Sequence, residues 1–448
     1  MKRAIAAASL AMIGLQGCAL TPRGTGEEKS RAEDAWAAYS APRPERVLPD
    51  LPEHPTWREV LHRALLANGD LEAAVHEWRA ALARVDEAAG YPNSNVSVGM
   101  QYLFSDENMK SFDRMTFAIG FDAMENLVFP AKARRAGEAA LDAARASGER
   151  VRETKFTVQE RVLGMWIDYS LLAEEIRVRG ETLRLRELLA KTAAARVRSG
   201  GRVQESLAAD LSLLQEQNEV AAREAQLQGL RAELNAMLAR DPDATLNAPG
   251  SFPEPRPLPV TDAALLEVAV DRNPELAALS HEVAGREDAL SLARMRWIPD
   301  LNPLALFTGS TSWSLGGALM LPTTFTEIRG AIHESEAMLE ASRAAMEQTR
   351  RERAASFVAT LVALRDAERQ ARWFQEKILP AAEHAAQTSR ESYSTGSSTL
   401  TETLEAEEMA LDARFAFARV RAEREKLLSR LESLAGVDVE ALAGETVP

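Results

Sequence analysis

Two stretches of the chain carry helical patterning without a break for about seventy residues. From Ala131 to Arg198 nothing interrupts a helix, and from Thr323 to Thr395 only Pro380 does. At 1.5 Å of rise per residue each is a helix of roughly 100 Å. Four shorter stretches, Thr56–Gly90, Arg202–Arg240, Asp262–Trp297 and Ser397–Ala435, come to roughly 55 Å each. Two short helices placed end to end match one long one, which predicts a wall of helices of equal height. Val158, Val162, Met165, Tyr169, Leu172 and Ile176 recur at spacings of four and three, a heptad seam. Leu400, Leu404, Leu411, Ala418 and Ala422 continue the same kind of stripe. Packing explains these positions fully.

Elsewhere the period changes from helical to alternating. Val96, Val98, Met100, Tyr102 and Phe104 share one face, with Asn95, Ser97, Gly99 and Gln101 on the other. Met115, Phe117, Ile119 and Phe121 oppose Thr116, Ala118, Gly120 and Asp122, and Trp313, Leu315, Leu319 and Leu321 oppose Ser314, Gly316 and Ala318. Apolar residues on one face and small or polar ones on the other are the mark of a membrane-barrel strand. The stretch Leu301–Thr308 fits less well: it is short, its alternation is unclear, and Pro303 removes a ladder donor. Four strands cannot close around an open lumen, so an oligomer is required.

The chain repeats itself. Ala64 to Ala74, with Asn68-Gly69-Asp70-Leu71 at its centre, recurs as Ala269 to Leu279 around Asn273-Pro274-Glu275-Leu276. Each copy continues with an Ala-rich helix ending at a proline (Pro92, Pro299), then strands, then a second proline (Pro130, Pro322) and a long helix. A glycine turn (Ser199-Gly200-Gly201, Thr395-Gly396) and a returning helix close each copy, with landmarks about 200 residues apart. This divides the chain into a signal peptide (1–17), a lipidated N-terminal arm (18–55), a first repeat (56–240, hairpin 93–122), a linker (241–261), a second repeat (262–436, hairpin 300–321) and a C-terminal tail (437–448). The linker should place the first copy's return helix end to end with the second copy's opening helix, leaving Ser397–Ala435 to pair with Thr56–Gly90.

Composition narrows the functions open to such a chain. Its 448 residues carry a formal net charge of −14, which excludes nucleic acid as a natural partner. With 27% charged and 6% aromatic residues it reads as long solvated helices. Met1-Lys2-Arg3 and the apolar run Ala4–Leu15 form a leader too short to span as a helix. Leu15-Gln16-Gly17-Cys18 resembles the bacterial lipobox, in which Cys18 would become the lipidated first residue; Gln16 departs from the small residue usual there. Ala19 rather than Asp after it implies delivery to the outer membrane. With no second cysteine a disulfide framework is excluded. Pro42, Pro44, Pro49, Pro52 and Pro55 make residues 21–55 an expected extended tether.

The second glycine turn reads Ser392-Tyr393-Ser394-Thr395-Gly396-Ser397-Ser398-Thr399-Leu400, followed by Glu402 and Glu405 on one face of the returning helix. Gly396 can close one helix in the left-handed conformation and Ser397, Ser398 or Thr399 can cap the next. Taken with the duplicated Asn-(Gly/Pro)-(Asp/Glu)-Leu openings, Trp313-Ser314-Leu315-Gly316-Gly317-Ala318-Leu319 running to Pro322, Leu379-Pro380, and Leu404 eight residues past Gly396, the mature chain resembles the TolC-type outer-membrane efflux proteins, specifically their lipoprotein branch. The resemblance implies a mainly α fold with a small β part. It implies a homotrimer in which long helical hairpins form an α-barrel tunnel and two β-hairpins per chain join a twelve-stranded membrane barrel. It also implies a periplasmic adaptor, an inner-membrane exporter of the proton-driven RND type and outer-membrane lipids as partners, with no cofactor. By the same resemblance Glu402 and Glu405 stand where the family carries its periplasmic gate acids. The tips Val197, Gly200, Gly201, Tyr393, Ser394 and Gly396 would meet the adaptor. The first turn departs from the pattern: Val197 replaces an aromatic, and Ser206 stands six past Gly200.

Other chemistry is sparse. The six histidines (His54, His62, His76, His281, His333, His384) lack ligand spacing, and Met100, Met109, Met115 and Met124 read as loop or membrane-facing residues rather than a cuprous site. No nucleophile–base set, phosphate loop or catalytic acid pair is present, so no enzyme is expected. The expected function is a passive exit duct, fed at its periplasmic tip, whose energy is supplied elsewhere. The rival is a lipoprotein whose hairpins scaffold an envelope complex without conducting.

Overall fold

The computed structural model describes residues 20–90, 96–104, 110–121, 129–249, 252–258, 261–308 and 312–439. The helices are α1 (Thr25–Ala37), α2 (Trp57–Ala67), α3 (Gly69–Ala89), α4 (Pro130–Arg198), α5 (Val203–Met237), α6 (Asp262–Arg272), α7 (Pro274–Arg294), α8 (Phe325–Trp373), α9 (Leu379–Thr395) and α10 (Leu400–Ala435). The strands are β1 (Val96–Tyr102), β2 (Met115–Phe121), β3 (Asp300–Thr308) and β4 (Ser312–Met320). The chain falls into two compact units, the first of Met1–Ser40, Glu72–Val151 and Pro274–Arg350, the second of Ala41–Leu71, Arg152–Asn273 and Arg351–Pro448.

Several elements depart from the sequence expectations, each for a local reason. The stretch Thr56–Gly90 is two helices, because Asn68 turns to an extended conformation (φ −72°, ψ 126°) and its Oδ1 accepts from the N–H groups of Asp70 and Leu71, both at 2.9 Å. Its repeat breaks at Asn273 (φ −59°, ψ 119°), where Pro274 starts the next helix without needing a donor. The repeated Asn-(Gly/Pro) therefore marks helix breaks. Residues 21–55 are not wholly extended: they contain α1 and a short 3₁₀ turn, Arg43–Glu45. Pro380 does not break its helix outright. The turn before it widens into a π-helix at Phe374–Ile378, which absorbs the missing N–H.

In the first unit the four strands form one antiparallel sheet in the order β1-β2-β3-β4. β3, expected to be the poor strand, is nine residues long and pairs on both sides, with Leu304 to Thr308 against β2 and Asp300 to Thr308 against β4. Pro303 lies one residue beyond the last β2 partner, so that ladder has no gap for its missing donor. Below the sheet, Lys132 Nζ donates to the Ile298 carbonyl (2.6 Å) and to Asp300 (2.9 Å), and the Phe129 N–H reaches the same carboxylate at 3.2 Å. α1 is seated by its buried face of Thr25, Glu28 and Ala32. Trp78 Nε1 donates to Glu28 (3.1 Å), over Gly148, where a Cβ would stand 2.8 Å from the indole.

The second unit is built twice over by the repeat. Val158, Val162, Trp166 and Tyr169 of α4 pack with Val60, Leu61 and Ala64 of α2 and Leu234 and Leu238 at the end of α5. In the second copy Phe357, Leu361 and Leu364 of α8 pack with Leu265 and Ala269 of α6 and Leu428, Leu431 and Ala435 of α10. Among the described residues the opening helix of each copy thus packs on the return helix of its own copy. Arg63 Nε donates to the Leu238 carbonyl (2.9 Å), and Asn273 Nδ2 to that of Leu434 (2.7 Å). The expected pairing across copies is overturned.

Linker residue Arg256 anchors its segment in a buried ionic cluster. It gives Nη1 to both Glu432 oxygens (3.0 Å each) and Nε to Glu425 (3.1 Å), with its guanidinium 5.3 Å from the Trp57 ring centre. Arg424 joins by pairing with Glu425 and, at 3.1 Å, with Glu368.

Candidate functional site at the hairpin tips

The two glycine turns close by the same bonding scheme. Gly200 (φ +98°) and Gly396 (φ +83°) take the left-handed conformation, which costs a side chain-bearing residue about 1–2 kcal/mol. The Gly200 N–H bonds the Val197 carbonyl (3.1 Å) and the Gly201 N–H that of Arg196 (2.8 Å). In the second turn Gly396 bonds Tyr393 (3.1 Å) and Ser397 bonds Ser392 (2.8 Å), so both are Schellman ends. Gly201 has a further constraint, since a Cβ there would stand 2.9 Å from the Arg196 carbonyl oxygen.

Their exits differ. Thr399 and Glu402 form a capping box: Thr399 Oγ1 accepts from the Glu402 N–H (3.3 Å), and the Glu402 carboxylate accepts from the Thr399 N–H (2.9 Å). At the first turn Arg202 holds the equivalent position without a side-chain cap. Both acids are exposed, but Glu402 is engaged in its own helix end, whereas Glu405 stands one turn on.

An arginine ties the two tips together. Arg196 donates an Nη2 N–H to the Tyr393 carbonyl and lays its guanidinium over the tyrosine ring, 4.0 Å from the centroid. The Tyr393 ring is 1% exposed, packed with Leu189, Ala190, Ala193, Ala209 and Leu400. Burial pushes its phenol pKa up. Of the expected tip surface, Gly200, Gly201, Ser394 and Gly396 are exposed and Val197 is half-buried, while Tyr393 faces inward.

Above the tips the helices are cross-linked by ion pairs that sequence reasoning missed. Glu216 of α5, 2% exposed, lies 3.0 Å from Arg179 and 3.5 Å from Arg186 of α4. Glu407 of α10 pairs with Arg390 of α9 (2.8 Å), yet burial holds its carboxyl above the usual range. Arg414 of α10 reaches Glu383 of α9 (2.9 Å) and Glu181 of α4 (3.4 Å), and Arg419 reaches Glu175 (3.3 Å). The signal for Glu407 was a gap: the stripe Leu400, Leu404, Leu411 carries a charge at the position between its last two members. Nothing comparable pointed to Arg196.

Among the described residues no group of three or more His, Cys, Asp or Glu side chains could hold a metal ion, and no helix is long and apolar enough to cross a membrane. Cys18 lies outside the described residues.

Residues 265–437 match the profile of the family described as outer membrane efflux protein. No curated protein sequence matches the chain. Solved structures do. The open state of the Neisseria gonorrhoeae MtrE outer membrane channel superimposes with a TM-score of 0.70 at 18% identity, covering 86% of this chain and 89% of that one. For the outer membrane protein VceC of Vibrio cholerae the values are 0.68 and 16%, covering 85% and 96%. For the outer-membrane channel OprN they are 0.69 and 17%, covering 85% and 89%. The chain has the fold of these outer-membrane channels, and its second repeat carries the sequence profile of the efflux family.

Proposed function

We propose that this chain is the outer-membrane channel of a tripartite efflux system, a passive duct that receives substrate at its periplasmic tip and releases it through a membrane barrel. The observation that carries this reading is the four-stranded sheet. Among the described residues β1 and β4 are each paired on one side only, and apolar side chains such as Met100 (62% exposed) and Leu319 (56%) stand uncovered on it. Open edges invite strand pairing with another chain, and uncovered apolar side chains suit lipid. Three copies edge to edge would supply the twelve strands of a barrel with an aqueous lumen. The adaptor would dock on the exposed turns at Gly200, Gly201, Ser394 and Gly396, with Val197 and the buried Tyr393 shaping them from behind. An inner-membrane exporter of the RND type would drive transport.

The lipid anchor on Cys18 is part of the same proposal. Pro22 lies against Gly137, where a Cβ would stand 3.1 Å from its ring. Gly137 is about 10 Å along α4 from Pro130, and the four residues back to Cys18 span up to about 14 Å. An acyl chain there would be within reach of the membrane that the sheet is proposed to enter.

Glu402 and Glu405 are proposed as the cation ring at the gate. Because Glu402 is committed to its capping box, Glu405 carries the larger share. Purified protein in planar bilayers should conduct, with a reversal potential favouring cations across a salt gradient. Glu405→Gln should reduce that selectivity more than Glu402→Gln, and identical potentials for wild type and both variants would remove these acids from the pore. A trimer that passes no current, even with both acids neutralised, would favour the scaffolding reading.

A further inference from the structure

One end of the first unit's sheet carries more aromatic surface than its own packing uses. Asp300 of β3 pairs with Met320 of β4, so the residues before β3 and after β4 leave the sheet at the same end. There Trp297, on the 3₁₀ turn Met295–Trp297, stacks on Phe325, the first residue of α8, with ring centres 5.7 Å apart and planes at 24°. Both rings remain exposed, as do Phe129 at the start of α4 and Leu321 just after β4. The bond from the Phe129 N–H to Asp300 keeps that residue at the same end.

On the side of this aromatic layer away from the sheet stand two free cations. Arg296 adjoins Trp297, and Arg329 lies one turn past Phe325, about 40° around α8 and about 6 Å along it. Both are exposed, and neither makes an ion pair or a side-chain hydrogen bond among the described residues. Their basic neighbours Lys132, Arg134 and Arg294 are each bound to a carboxylate, at 2.9, 3.0 and 3.0 Å. The free acids of the same helix point elsewhere, since Glu327 and Glu334 lie about 140–160° around α8 from Arg329. In a chain of formal net charge −14 this collar leaves positive charge unanswered. Aromatic rings with cations beside them are the order of groups at a membrane–water boundary, where rings sit at headgroup level and arginine stems lie along apolar surface. The apolar surface continues on the sheet with Leu319, so one bilayer would cover both. A guanidinium also matches the paired oxygens of a phosphate.

We propose that Arg296 and Arg329, beside the Trp297–Phe325 stack, hold the phosphate of an anionic phospholipid headgroup in the membrane leaflet nearest the helices. The site rests on the membrane-barrel reading and gives that barrel a lipid preference and a fixed depth, with the stack at the boundary and the arginines among the phosphates. Each cation beside an anionic membrane surface raises affinity about fivefold. The two together should favour phosphatidylglycerol over zwitterionic phosphatidylcholine by about twenty-five-fold.

The test titrates full-length protein in nonionic detergent micelles with phosphatidylglycerol brominated in its acyl chains, which quenches tryptophan on contact, and separately with brominated phosphatidylcholine. The chain has seven tryptophans, so quenching of Trp297 is read as the difference between wild type and Trp297→Phe. Half-quenching should need about twenty-five-fold less phosphatidylglycerol than phosphatidylcholine. Arg296→Gln/Arg329→Gln should bring the two lipids to equality, whereas Arg296→Lys/Arg329→Lys should keep most of the preference. Arg350→Gln removes a like charge about 32 Å beyond Arg329 on α8 and should change nothing. Equal quenching by both lipids in wild type, or an equal loss of preference in Arg350→Gln, would overturn the headgroup site. Relief of quenching by inorganic phosphate at the lipid's own concentration would overturn it too, since the arginines would then hold a free anion. Conductance in planar bilayers without a lipid preference would leave the channel reading standing and remove only this site. No quenching of Trp297 by either lipid would remove both, because that end of the sheet would not meet a membrane.

Discussion

At the scale of single residues, Arg256 is the side chain whose loss should cost most. Glu432 beneath it is 1% exposed and also accepts from the Val439 N–H at 3.2 Å. Replacing Arg256 by Met leaves that carboxylate buried without its cation, a loss of about 3–5 kcal/mol. Urea denaturation of the detergent-solubilised protein measures it, and a loss below about 1 kcal/mol would mean Glu432 is hydrated or neutral. The pH dependence has a definite sign. Burial raises the Glu432 carboxyl above its ordinary value of 4.5, against the pull of Arg256. A carboxyl with a raised folded pKa contributes stability that is fully present below the unfolded pKa and is lost as pH rises through the folded one. The thermal midpoint of wild type relative to Glu432→Gln should therefore improve as pH falls from neutral toward 4.5. A gap that does not vary with pH would show that Glu432 keeps one protonation state.

At the scale of elements, glycines divide by what surrounds them. Gly396 at φ +83° caps a helix, so Gly396→Ala should destabilise by about 1–2 kcal/mol. Gly201→Ala should loosen the other turn by displacing the Arg196 carbonyl, and through Arg196 the hold on Tyr393. Gly229 is a mid-helix residue of α5 with open space where a Cβ would go, so Gly229→Ala should stabilise by about 0.5–1 kcal/mol. Limited proteolysis checks both signs: cleavage at the tips should quicken for Gly201→Ala and Gly396→Ala and slow or stay unchanged for Gly229→Ala.

At the scale of the whole molecule, the sheet of the first unit leaves β1 and β4 each paired on one side only among the described residues, and the proposed channel would pair both edges with another copy. If Cys18 carries the anchor, Cys18→Ser should leave an unprocessed or mislocalised protein and reduce export. Size by gel and density fractionation of envelopes would show it, and a mutant of normal mature size in the normal fraction would remove the anchor.

What the sequence determined by itself is what depends on period and repetition. Seventy residues at helical spacing make α4 whatever lies around it, and the alternation of Val96 to Phe104 makes β1. Duplication of Asn68-Gly69 as Asn273-Pro274 announced two copies of one unit, and the turn chemistry of Gly200 and Gly396 located both tips. Tertiary structure decided what depends on contacts distant in sequence. The same Asn motifs proved to be helix breaks, because a side-chain cap at Asn68 and Pro274 after Asn273 favour a new helix over continuation. β3 accommodates Pro303 past the end of its β2 ladder and opposite Gly317 of β4, a matter of register that no single strand contains. Tyr393 turned inward because Arg196, nearly two hundred residues away, holds its carbonyl and covers its ring. Which short helix meets which was settled by Arg63 and Asn273 reaching the ends of α5 and α10, since a flexible linker leaves either pairing open until side chains select one.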